Sequence, residues 1–202
     1  MFSYLKKISL LVSFSFMTMS TTFAAQKDIL QDISNYMKNM KTAEGRFVQI
    51  DPEGGISQGE FALKRPGKVY FNYADPSPLK VVSDGFWVAV EDRKINSIDR
   101  YPLSETPLKI LLAENPNLKS DEYKITLEDN QDHYQIHASD PEAPEQGMIS
   151  LVFSAKPLAL RQWVVTDAQG YQTVVSLQDI KLNAPVKAKL FYIENGRIQG
   201  RR

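Results

Sequence analysis

His133 and His137 stand four residues apart, a spacing that lets two imidazoles share one metal ion when the segment is helical. The residues between them, Tyr134-Gln135-Ile136, read as strand instead. Four residues of strand span roughly 13 Å, too far for one zinc. The pair therefore reads as two polar positions on a sheet face, and no metal site is expected. The chain has no Cys, which removes thiol nucleophiles, disulfides and Cys-based metal sites. It contains no Gly-x-Ser-x-Gly elbow, phosphate loop or dinucleotide fingerprint. Carboxylates are plentiful, but nothing singles out a catalytic pair, so a non-catalytic protein without a cofactor is expected. The 24 Lys and Arg balance 24 Asp and Glu. The clustered cationic surplus needed to bind nucleic acid is therefore missing.

Arg65 is the polar residue that stands out. Phe61, Leu63 and Arg65 alternate at strand period, so the guanidinium points where the two apolar side chains point. Pro66 biases Arg65 toward extended geometry, which supports that parity. Two readings stay open on the residues alone. In one, Arg65 ends a strand and reaches back to water, its stem covering Leu63. In the other it meets a partner inside the fold, since an unpaired buried guanidinium costs several kcal/mol. A helix end with free carbonyls suits that second role, and the segment Pro107–Ala113 is the candidate. Beyond the Pro66-Gly67 break, Val69, Phe71 and Tyr73 continue the stripe, which is either ordinary core or the wall of a site. Met37 and Met40 are flexible gap-fillers that also suit a surface able to repack around varied chains.

The elements that position these residues are readable from periodicity. Lys6 and Lys7, then the apolar stretch Ile8 to Phe16, then Thr22-Phe23-Ala24, read as a secretion signal in residues 1–24. Cleavage is expected after Ala24, alternatively after Ala25. It removes two lysines and no acid, leaving 22 basic and 24 acidic residues and a net charge of −2. The stretch is short for a membrane span, and no other segment approaches about 18 consecutive apolar residues. Residues 25–202 read as one domain, expected to be a monomer. Ile29, Leu30, Ile33, Tyr36, Met37 and Met40 fall on one face of a helix over residues 28–40. Strands are expected over 46–50, 57–64, 69–73, 79–82, 86–90, 95–101, 123–128, 133–138, 147–153, 161–166, 171–180 and 187–193. A second helix, Pro107 to Ala113, is expected to start on a Thr106 N-cap with Pro107 as its first residue, and to put Leu108, Leu111 and Leu112 on one stripe.

Short spacing between strands favours antiparallel meanders. Two short helices cannot cover so many strands, so the sheet must curl to bury its apolar face. The expected fold is mainly β with short helices (α+β): an open, incomplete antiparallel β-barrel with helices lidding the concave apolar side. Such a shape leaves an apolar hollow beneath the helices, a place where ligand sites form.

A family resemblance rests on the order of several motifs. These are a leading helix, Phe47-x-Gln49, Leu63-Lys64-Arg65-Pro66 with aromatics to Tyr73 and Pro76, and Val82-Ser83-Asp84-Gly85. Thr106-Pro107-Leu108 with Leu111-Leu112 follows, then Trp163-x-x-x-Asp167-x-x-Gly170-x-x-Thr173. This order resembles the periplasmic outer-membrane lipoprotein carriers, the LolA family, over residues 28 to 193. The resemblance implies a lidded open barrel. It implies that Arg65 closes the lid by bonding helix carbonyls and lets go when cargo enters. The implied lipid-binding cavity is lined by Ile33, Met37, Phe61, Leu63, Val69, Phe71, Tyr73, Leu108, Leu111 and Leu112. Implied partners are acylated lipoproteins, an inner-membrane ABC-type transporter that supplies them, and an outer-membrane lipoprotein acceptor. Two other readings of the same scaffold are a carrier of other lipids or glycolipids, and a non-catalytic envelope sensing or binding module. The chain departs from the family in having Ala89 and Glu91 where an aromatic pair is usual, with Phe86-Trp87 placed earlier. Gly67-Lys68-Val69 is also less aromatic than in some members, and the chain stops at Arg202 without their longer tail.

Overall fold

In a computed structural model, residues 20–193 are described. A helix α1 (Ser20–Asn39) leads into six strands: β1 (Thr42–Ile50), β2 (Ile56–Lys64), β3 (Lys68–Tyr73), β4 (Leu79–Asp84), β5 (Trp87–Asp92) and β6 (Ser97–Pro102). A 3-10 turn (Leu103–Glu105) and the short helix α2 (Leu108–Leu112) follow. Five more strands complete the sheet: β7 (Lys124–Asp129), β8 (His133–Ser139), β9 (Met148–Ser154), β10 (Ala159–Thr166) and β11 (Gln172–Leu182). All eleven belong to one sheet in the order β6-β5-β4-β3-β2-β1-β11-β10-β9-β8-β7. The pairings are antiparallel throughout.

This order consists of two meanders, β1–β6 and β7–β11, fused where β1 pairs with β11. The outermost strands β6 and β7 are neighbours in sequence but not in the sheet, so the barrel stays open there. The chain between them carries α2, whose residues Ile110, Leu111 and Leu112 join the core on the same face as Ile33 and Met37 of α1. Period-two patterning dictates which side chains face inward. In β3, Val69, Phe71 and Tyr73 are buried and alternate with half-exposed residues. Phe61 pairs with Phe71 and Leu63 with Val69 across β2 and β3, so the stripe runs across strands.

Aromatic contacts knit the two meanders together. The Phe47 ring meets Phe71 and Tyr73 edge-on, each at 4.9 Å between centroids, and Phe71 meets Trp163 of β10 at 5.9 Å. Gly59 lies opposite Phe47 in the β1–β2 ladder. A Cβ there would stand 2.1 Å from the Asn72 carbonyl oxygen and 2.9 Å from the Phe47 ring, so only glycine fits. Gln49, two residues on from Phe47, accepts a 2.7 Å hydrogen bond from the Tyr73 hydroxyl. Burial pushes that hydroxyl's pKa up to about 12.

Three expectations change. The leading helix starts earlier than residue 28, at Ser20. The segment expected as a twelfth strand over 187–193 is a 3-10 helix, Ala188–Phe191, that buries Phe191. It follows β11, which lies mid-sheet with both edges already taken by β1 and β10, so no free ladder is within reach. Thr106 does not cap α2 with its side chain. Its hydroxyl donates instead to the Leu103 carbonyl at 2.9 Å, and Pro107 takes the N-cap position. Residues 1–19 of the expected secretion signal lie outside the described residues.

Candidate functional site

Of the residues expected to line a cavity, Ile33, Met37, Phe61, Leu63, Val69, Phe71, Tyr73, Leu111 and Leu112 are all buried in one cluster. Leu108 is only partly buried and packs at its margin. Ile33 and Met37 are 0% exposed. Both helices therefore pack against the apolar face of the sheet, in the same cluster as the β2 and β3 stripe. Sequence reasoning missed Ile110, buried beside Leu111 on α2, and the wall supplied by the second meander. That wall comprises Ile136 of β8, Ile149, Leu151 and Phe153 of β9, and Trp163 of β10. The alternation Ile149, Leu151, Phe153 was the signal that could have found it.

Arg65 lies inside this apolar cluster, 7% exposed. Its Nε donates to the Met40 carbonyl at 3.1 Å and its Nη1 to the Ala113 carbonyl at 2.8 Å. Met40 immediately follows α1 and Ala113 is the C-cap of α2. Both acceptors thus lie at helix C-terminal ends, where carbonyls lack intrahelical partners and the helix dipole favours a cation. Nη2 is buried with no hydrogen-bond partner among the described residues. Burial lowers the guanidinium pKa to about 10, so it remains charged at neutral pH.

The turn after Arg65 reaches the same helix end. Gly67 N–H donates to the Leu112 carbonyl at 2.9 Å. Its own carbonyl accepts a 2.7 Å bond from the buried Ser83 hydroxyl. Gly67 has φ +73, and a Cβ would stand 2.7 Å from the Cα of Gly85, so glycine is required by both conformation and space. Asp84 Oδ1 accepts from the backbone N–H groups of Phe86 and Trp87 and shapes that second turn. Arg-Pro-Gly, Ser-Asp-Gly and the end of α2, distant in sequence, form one hydrogen-bonded junction. Phe86 and Trp87 are exposed and do not line the covered face, whereas Val88 and Ala89 are buried.

The helix α1 is also tied to the segment that follows α2. Ser34 on α1, 5% exposed, donates to the Leu30 carbonyl and accepts the Leu118 N–H at 3.1 Å. Ser34→Ala leaves a buried N–H unpaired and is expected to cost about 1–3 kcal/mol. Thermal melts check this, and a melting temperature equal to wild type would contradict it. The histidines lie away from this face. His137 Nδ1 is 2.7 Å from the Ser150 hydroxyl and His133 Nε2 is 3.3 Å from the Asn130 side chain, both on or beside the strand β8.

Comparison with known proteins places this geometry. The family model described as outer membrane lipoprotein carrier protein LolA matches residues 38–194. The chain belongs to the LolA family. An outer-membrane lipoprotein carrier protein of Halorhodospira halophila is 27% identical over 180 residues, covering 84% of this chain and 83% of the relative. One of Coxiella burnetii is 25% identical over 201 residues, covering 94% and 93%. Among solved structures, a DUF1329 family protein from Desulfovibrio piger is similar with a TM-score of 0.51 at 11% identity, covering 84% of this chain and 96% of that one. That likeness concerns the fold alone.

Proposed function

We propose that this LolA-family protein carries acylated lipoproteins across the periplasm, with their acyl chains held between the sheet and the helices α1 and α2. It would receive them from an inner-membrane ABC-type transporter and pass them to an outer-membrane lipoprotein acceptor. The observation that carries this reading is Arg65, a charged side chain buried among apolar ones and bonded, among the described residues, to the ends of the two covering helices. Core packing alone gives no reason to put a guanidinium there, because burying it costs more than an apolar residue would. A releasable closure gives one.

Each methylene kept from water contributes roughly 0.8 kcal/mol, so an anchor with several long chains faces tens of kcal/mol in an aqueous compartment. A carrier must supply apolar surroundings and still let go. In the empty state, α1 and α2 close on the sheet, Ile33, Met37, Leu111 and Leu112 bury one another, and Arg65 holds both helix ends. Entering chains separate the helices from the sheet and break the Arg65 bonds, worth about 1.5–3 kcal/mol each as charge-assisted contacts. Their re-formation favours release, which keeps affinity modest. No step of this cycle makes or breaks a covalent bond.

The test is to purify the protein from its own envelope and identify retained molecules by mass spectrometry. Acylated N-terminal cysteine peptides are the expected cargo. Recovery of glycerolipids or glycolipids alone would replace this reading with that of a general lipid carrier. A protein that retains nothing and binds no acyl probe would be a sensing or binding module.

A further inference from the structure

We propose that Lys109 and Asp140 form a second clasp on α2, so that the lid is held from both halves of the sheet and not by Arg65 alone. The proposal rests on the carrier reading above. Lys109 Nζ donates to Asp140 Oδ2 at 2.7 Å and to Gln146 Oε1 at 2.8 Å. Both acceptors belong to the connection between β8 and β9, in the β7–β11 meander. Arg65 and Gly67, which hold the other end of α2, belong to the connection between β2 and β3, in the β1–β6 meander. The helix therefore bridges the open side of the barrel, where β6 and β7 form no ladder.

The clasp differs from an ordinary surface ion pair in two respects. Its side chains are only 22% and 21% exposed, so solvent screens them less than a fully exposed pair. The carboxylate is also oriented beforehand, because Asp140 Oδ1 accepts the Glu142 backbone N–H at 2.9 Å while Oδ2 faces Lys109. The hydrogen bond from Lys109, then that backbone bond, hold the Asp140 carboxyl below the usual carboxylate range. Lys109 sits beside three consecutive buried residues, Ile110 to Leu112. Its ammonium fixes how deeply they seat. With Arg65 released and Lys109 held, α2 pivots about the β8–β9 side. With both released, it leaves the sheet.

The experiment reads lid position in the full protein without cargo. The chain has no Cys, so Glu114→Cys just beyond α2 and Gln178→Cys on β11, both exposed positions, can carry spin labels for distance measurement. Lys109→Met and Asp140→Asn are each expected to raise the open population about tenfold, the scale of one charge-assisted bond. The exchanged pair Lys109→Asp with Asp140→Lys is expected to restore much of the closed population. If Lys109→Met proves too unstable, Asp140→Asn and the exchanged pair carry the test. An open population unchanged in both single variants, in protein that melts normally, overturns the second clasp. A triacylated lipopeptide that fails to bind wild type, while the distances respond as expected, overturns the carrier reading and leaves the clasp standing.

Discussion

Arg65→Leu is expected to bind acylated cargo more tightly than wild type and to hand it over poorly. The substitution removes the bonds from Nε to Met40 and from Nη1 to Ala113, which in the proposed cycle exist only in the closed, empty state. It removes nothing that holds acyl chains. Losing about 1.5–3 kcal/mol per bond from the competing state shifts the balance toward the loaded form. Part of this is offset, because leucine also avoids the cost of burying a charge. A net shift of about tenfold to a hundredfold in retention follows. Arg65→Lys should fall between, since a single ammonium cannot reproduce the fork that spans two carbonyls. Retention of a fluorescent acyl probe, and its transfer to acceptor vesicles, measure both quantities. Equal retention and transfer in Arg65→Leu and wild type would remove the latch from the account.

Phe47→Ala is expected to lower stability by about 3–5 kcal/mol, the largest effect of any single truncation considered. Phe47 is 1% exposed and meets Phe71 and Tyr73 edge-on. It stands on β1, beside the seam where the two meanders join. Gly59 has no side chain with which to fill the space left behind. For a chain of this length the loss corresponds to a melting temperature lower by roughly 10 °C. Thermal unfolding checks it, and a fall of less than a few degrees would show that the aromatic cluster collapses around the gap.

Much of this architecture was legible in the chain. The alternation Val69, Phe71, Tyr73 dictated both the strand and its inward face, and the parity of Phe61, Leu63 and Arg65 aimed the guanidinium inward. The carbonyl at the end of α2 could be nominated because Pro107 and the leucine stripe mark that helix. Met40 as the second acceptor could not be read, because it depends on where α1 ends relative to β2, and local pattern carries no such distance. Nor could the β1–β11 seam, since strands from the two ends of the fold find each other only through long-range register. The 188–191 turn was misread for the same reason. Its apolar content suits a strand, but strand formation needs a free edge. The Lys109–Asp140 pair joins two charged residues 31 positions apart, and nothing in either local sequence announces the other.

The most direct test of the account is amide hydrogen exchange on the closed and loaded protein. Two amides report the lid: Gly67, bonded to the Leu112 carbonyl, and Leu118, bonded to Ser34. Leu151 on β9, fully buried in the sheet, serves as the reference. Saturation with a triacylated lipopeptide is predicted to strip protection from Gly67 while leaving Leu151 unchanged. A bound lipopeptide that leaves Gly67 as protected as in the empty protein would mean that the chains bind elsewhere, and that α2 is not a lid.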